Sequence, residues 1–158
     1  MEKFRANFAA SRHVNPPGAE PRLSEEQVWK GLELKARQPE NFVAVISSCD
    51  VLSDTGTKVT REVYFGNNPP MKEEVELHHG TIAYFDAEAA GIRITNVLSY
   101  DANNELVLTF SYAGGIPGFT PVGELHPSPH ELNRAVGVGV DLTIERIREL
   151  VKEGELVV

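Results

Sequence analysis

The sequence predicts an α+β fold in which an antiparallel sheet of about seven strands wraps around one long C-terminal helix. Three observations predict it. Ser128-Pro129-His130-Glu131 opens an apolar-periodic segment that runs without a break to Lys152-Glu153-Gly154. Ser128 caps, Glu131 reaches back, Pro129 takes the first helical position and Gly154 follows the last turn. From Cys49 to Tyr112 the apolar residues instead recur at period two, in short runs divided by turn residues. Two short helical segments precede that region and follow a first strand. A helix of about 25 residues spans roughly 37 Å. Set against a curved sheet it buries its apolar stripe and readily leaves a cavity between the two layers.

The elements follow in order. Phe4 to Val14 mixes apolar and small polar residues in rough alternation and ends at the breaker Asn15-Pro16-Pro17-Gly18, which makes it an edge or first strand. Ser24-Glu25-Glu26-Gln27 is a second capping box, and Val28, Trp29, Leu32, Lys35 and Ala36 then recur at helical spacing, giving a helix from about Glu25 to Arg37. Pro39 starts another short helical turn that carries Phe42, Val45 and Ile46 inward. Cys49 to Leu52 and Lys58 to Phe65 form a hairpin about Ser53-Asp54-Thr55-Gly56. After Gly66 to Pro70, Met71, Glu73, Val75 and Leu77 share one strand face, while Lys72, Glu74, Glu76 and His78 face solvent. Thr81 to Asp86, Ile92 to Ser99 and Leu106 to Tyr112 complete the meander. Ala113 to Pro127 is a glycine- and proline-rich loop, read either as a lid or as a plain connector. Gly137 and Gly139 interrupt the helical pattern, each disfavoured by up to about 1 kcal/mol relative to alanine. Close approach to the sheet or a ligand, or a bend over the cavity, would offset that; the alternative is that a long helix simply tolerates both. Val136, Val140, Ile144, Ile147 and Val151 form the inward stripe of the helix.

The 158 residues, 41% of them hydrophobic, suffice for one domain spanning 1–158 and leave no room for a second. A net charge of −8 repels phosphate backbones and anionic membranes, which argues against nucleic-acid and membrane partners. The single cysteine, Cys49, reads as a small core residue. With no leader-like segment and no apolar run of membrane-spanning length, the expectation is a cytoplasmic protein. The five histidines show no metal-ligand spacing: His78 and His79 point to opposite faces of a strand, and His126 and His130 bracket a helix start. No metal site and no cofactor are expected.

Polar residues on an otherwise apolar strand face are the most informative site candidates, because a buried charge demands a partner. With the connection after Phe65 centred near Asn68, Arg61 falls opposite Val75 and Val63 opposite Glu73, so Arg61 and Glu73 are diagonal neighbours on one face. They either orient a ligand carbonyl, enolate or carboxylate, with Arg61 as donor, or form an internal ion pair. Asn96 shares the face of Ile92, Ile94 and Leu98 and joins the same lining. Tyr112, at the end of the last strand, is either a phenolic donor or packs at the core or rim. Trp29 and Phe42 close one end of the cavity or simply fill core. Phe119 caps the entrance or sits at a loop tip. Val63, Val136 and Val140 supply apolar wall.

The order strand, two short helices, six-strand meander and long helix resembles the helix-grip architecture of the Bet v 1-like, START-like (SRPBCC) superfamily. VNPPG at Val14 to Gly18, LSEEQVWKGLELKARQPENFV at Leu23 to Val43, TREVYFG at Thr60 to Gly66, KEEVELH at Lys72 to His78 and ITNVLS at Ile94 to Ser99 are similar to a domain-of-unknown-function subgroup of it. That subgroup includes a protein from a fungal acetylaranotin gene cluster. The resemblance implies a helix-grip domain that binds an apolar small molecule, as an accessory or cofactor-independent enzyme of the isomerase, cyclase or lyase type in secondary metabolism. Relatives of the fold that activate chaperones keep a second function open, a protein-interaction module without catalysis. The sequence also leaves room for a homodimer.

Overall fold

The computed structural model describes residues 7–117 and 127–156. Strand β1 (Phe8–His13) is followed by helix α1 (Glu25–Arg37) and a single 3-10 turn at Pro39–Asn41. Six strands come next: β2 (Ser48–Asp54), β3 (Lys58–Tyr64), β4 (Met71–His78), β5 (Ile82–Ala87), β6 (Ile92–Tyr100) and β7 (Leu106–Ala113). All seven strands form one antiparallel sheet in the order β1-β7-β6-β5-β4-β3-β2. The chain closes with α2 (Pro129–Ala135) and α3 (Val138–Lys152). Among the described residues no helix is long and apolar enough to cross a membrane.

Both predicted capping boxes are formed. Ser24 accepts from the Gln27 amide while Gln27 returns a bond to the Ser24 amide, and Ser128 and Glu131 do the same for α2. Period-two alternation puts Val59, Val63, Val75, Ala83, Phe85, Leu98, Leu108 and Phe110 on the concave face of the sheet, all buried. Onto this face pack Val28, Leu32 and Ala36 of α1 and Val140, Ile144, Ile147 and Leu150 of α3. The two helices meet at Gly31, where an added Cβ would overlap Ile147 and lie 2.6 Å from its Cδ1. Arg148 of α3 donates to the carbonyls of Pro21 and Val14, tying the connection between β1 and α1 to the last helix.

Four expectations need correcting. The C-terminal segment is not one unbroken helix. Its ladder is interrupted at Val136–Gly137, where Arg12 of β1 reaches the carbonyl of Asn133, the i−4 acceptor that the Gly137 amide leaves. Arg12 Nη2 donates to Asn133 O at 2.8 Å, Nη1 to Asn133 Oδ1 at 2.8 Å and Nε to Asp141 at 3.1 Å. A side chain inserted into the ladder is a recognised cause of a helix break. The Gly137 amide turns to Leu132 O instead, and the next two bonds, Gly139 to Val136 and Val140 to Gly137, are of the tighter i−3 type. Second, the connection between β3 and β4 is centred on Asn67, so Arg61 lies directly opposite Glu73 and Val63 opposite Met71. A shift of the centre by one residue moves each partner by two and so preserves the face. Third, Val45 points outward, at 57% exposure, because only Phe42 and Ile46 turn to the core after the 3-10 turn. Fourth, Cys49 is only half-buried, since β2 is an edge strand that pairs with β3 alone and is largely exposed. The part of the first strand expected before residue 7 lies outside the described residues.

Candidate functional site

Between the concave face of the sheet, the segment after α1 and the α2–α3 junction lies a cavity of about 370 Å³. Its walls are mostly apolar, with Phe42, Phe85, Ile94, Phe110, Tyr112 and Val136 prominent among them. Lys35, Arg61, Glu73 and Thr143 bring polar atoms to it. Val45, Val138 and Leu142 line its mouth and are substantially exposed. A larger depression of about 510 Å³ lies elsewhere, by Glu74, Asp86, Arg93 and Gly114, but its charged pair Asp86–Arg93 is a solvent-side ion pair rather than an enclosed group. The chemistry is concentrated in the smaller, apolar space.

Arg61 explains how the polar corner is built. Its Nε and Nη2 donate to Glu73 Oε1 at 3.0 and 2.7 Å, and its Nη1 donates to the carbonyls of Lys35 and Ala36 at 3.2 and 2.8 Å. Those carbonyls belong to the last turn of α1, whose acceptors have no partner within the helix. A cation there also complements the helix dipole. Pro39 forbids continuation, and the helix ends at Gln38. One guanidinium therefore fixes the end of α1 against β3 and β4. Arg61 and Glu73 are buried, and Arg61 also lies 5.1 Å from the Phe85 ring centre.

The same helix turn presents Lys35 to the cavity. Its side chain is buried and its Nζ donates to Asn96 Oδ1 at 3.0 Å. The ammonium lies 4.0 Å from the centre of the Phe110 ring and 5.3 Å from that of Phe85. Burial pushes its pKa from 10.5 down to about 7, helped by the nearby Arg61 cation and opposed by Glu73. Tyr112 moves the other way: burial raises its phenol to about 12, so it remains a hydroxyl. Its oxygen lies near Gly139, where an added Cβ would be 3.9 Å away.

Of the residues proposed from sequence, Arg61, Glu73, Phe42, Tyr112 and Val136 border this cavity. Asn96 is fully buried behind Lys35, with its Nδ2 lacking a partner among the described residues. Val63 and Val140 are fully buried and do not reach the lining. Trp29 packs edge-on against His79 with centres 6.0 Å apart, beside a separate shallow pocket at the start of α1. Phe119 lies outside the described residues. Lys35 was not singled out from sequence, although a signal was present: it occupies the buried stripe of an amphipathic helix, in register with Val28, Leu32 and Ala36. Among the described residues no group of three His, Cys, Asp or Glu is arranged to hold a metal ion.

The family model for acetylaranotin biosynthesis cluster protein L (AtaL) matches residues 8–154. No curated protein matches the chain in sequence. Among solved structures, protein BH1534 of Bacillus halodurans superposes with a TM-score of 0.52 at 19% identity, covering 92% of this chain and 96% of that one. The di-domain ARO/CYC StfQ from the steffimycin biosynthetic pathway gives a TM-score of 0.60 at 10% identity, covering 96% of this chain and 52% of StfQ. Ara h 8.0201 gives 0.53 at 12% identity, covering 94% and 98%. At these identities the likeness is one of fold, the Bet v 1-like helix grip.

Proposed function

This chain belongs to the acetylaranotin biosynthesis cluster protein L family, and from that membership we propose that it binds an apolar small molecule in the cavity between sheet and helix. The observation that carries the reading is the cavity itself. Its volume of about 370 Å³ falls within the roughly 300–1,000 Å³ of small-molecule sites. It also joins aromatic walls to a few convergent polar groups. The biosynthetic setting is supported by the family's name and by the likeness to a protein of the steffimycin pathway. We place the protein in the cytoplasm, as a single ligand-binding domain that acts as an accessory or as a cofactor-independent isomerase, cyclase or lyase. Enclosure and orientation then supply much of the rate, while Arg61 and Glu73 set the electrostatics of the polar corner. Four N–H groups of Arg61 are already engaged, so it acts mainly by holding Glu73 and the end of α1 in place.

The exposed apolar rim of Val45, Val138 and Leu142 supports a second reading, in which the mouth is a contact surface for another protein. Native mass spectrometry of the purified protein, with identification of any co-purifying molecule, separates the two. The binding reading expects a stoichiometric small molecule that is lost in Leu142→Trp, a variant that obstructs the mouth at an exposed position. An empty protein whose melting temperature no apolar metabolite raises overturns it and moves attention to the rim.

A further inference from the structure

We propose that Lys35 is a nucleophilic amine that condenses with the carbonyl group of an aldehyde or ketone held in the cavity, forming an imine. The inference rests on the cavity being the binding site, and adds the class of ligand and the kind of bond.

The placement carries it. Lys35 Nζ lies at the wall of an apolar cavity, in a buried side chain, between the rings of Phe85 and Phe110. Among the described residues its one hydrogen-bond acceptor is the neutral Asn96 Oδ1, and it makes no direct ion pair. The neighbouring carboxylate, Glu73, is bonded to Arg61 rather than to Lys35. The charged residues lining the space are Arg61 of β3 and Glu73 of β4. Among the described residues Tyr112 of β7 is its other ionisable group, and α2 and α3 contribute none. Arg61 thus places a permanent cation near the amine and ties up Glu73, whose remaining pull on the ammonium is outweighed by burial and by that cation. Desolvation together with a second cation is the established way of making a lysine nucleophilic near neutral pH. With its pKa lowered to about 7, Lys35 has a substantial free-amine population at neutral pH. An ordinary lysine has on the order of a thousandfold less.

The step balances without a cofactor. The Nζ lone pair adds to the carbonyl carbon, the C=O π pair moves to oxygen, and a proton passes from nitrogen to that oxygen to give a carbinolamine. Loss of hydroxide, protonated to water, leaves the C=N bond. The imine nitrogen then takes up a proton, which acidifies the neighbouring C–H and allows isomerisation or carbon–carbon bond cleavage there. Water hydrolyses the product and restores the amine.

The test uses benzoylacetone, an apolar 1,3-diketone whose adduct with a lysine amine is a stable conjugated enaminone with new near-UV absorption. The full-length protein at pH 7 should gain the mass of one probe minus one water, with peptide mapping placing the adduct on Lys35. The rate should reach half its plateau near pH 7, while exposed lysines such as Lys58 and Lys72 should react on the order of a thousandfold more slowly. Lys35→Met, which keeps the side chain long and apolar, should abolish the adduct while retaining probe binding, read as a rise in melting temperature. Absence of adduct at Lys35, or adducts spread over exposed lysines, overturns the inference. In either case the melting shift reports separately on the cavity: a shift without adduct leaves the binding reading standing, and no shift removes that class of ligand as well.

Discussion

An ammonium at Lys35 is buried against an apolar wall, and its stability consequence can be worked out in sign. Below about pH 7 both folded and unfolded chains carry the proton and the burial penalty is fully present. Between about 7 and 10.5 the folded chain is neutral while the unfolded chain still binds a proton, so stability rises with pH. At about 1.4 kcal/mol per pH unit, the gain across that window is several kcal/mol. Lys35→Met should therefore be more stable than the parent at pH 6, and the difference should shrink towards pH 10 in urea titrations at each pH. Arg61 predicts the opposite sign. Arg61→Met strands Glu73 and two helix carbonyls in the interior, an expected loss of about 3–5 kcal/mol by urea denaturation. Replacing Glu73 by leucine in the same chain should recover much of that loss. At this scale the sequence was informative in a specific way. Arg61 and Glu73 could be read as partners, because a charge on an apolar strand face betrays itself at period two. Lys35 broke the apolar stripe of its helix just as visibly, but a lysine stem snorkels so often that the pattern alone does not separate a buried amine from an exposed one.

At the level of elements, the α2–α3 break depends on a contact between residues far apart in sequence. Helical periodicity from Ser128 to Lys152 carries no trace of Arg12; Gly137 and Gly139 mark where a bend can fall, but not the contact that makes it a break. An added Cβ at Gly137 would overlap both Arg12 Nη2 and Asn133 O, so Gly137→Ala must displace the guanidinium. We expect Gly137→Ala to destabilise by about 1–3 kcal/mol. Combining it with Arg12→Ala should leave a coupling of about 0.5–3 kcal/mol in a double-mutant cycle, accompanied by a gain in helical circular dichroism as the two helices fuse. Absence of coupling would show that the break has another cause. Gly31→Ala tests the second close approach. Its methyl group must push Ile147 aside, and Ile147→Val in the same chain should restore part of the lost stability.

For the whole molecule, the layer arrangement was legible because period two and period 3.6 divide this chain cleanly. The register between β3 and β4 was not, because a turn centre one residue away satisfies the same facial pattern. The cavity belongs to this scale too, since it is set by residues of the sheet and all three helices and by no single motif. A ligand that occupies it at a hundred times its dissociation constant should add about 2.7 kcal/mol to stability. The melting temperature should then rise with concentration in the parent and remain flat in Leu142→Trp.

The pairing of β1 with β7 joins Phe8 to Tyr112 and His13 to Val107, while every other strand pair is between sequence neighbours. The meander can therefore assemble hairpin by hairpin, but β1 must wait unpaired until its partner β7, nearly a hundred residues further on, has left the ribosome. Arg12 rides on that strand, so the bent form of the C-terminal segment is not available until the sheet is complete. Topology therefore favours assembly of the meander before β1 locks onto β7. Docking of β1, the longest-range pairing in the sheet, becomes the natural slow step in folding.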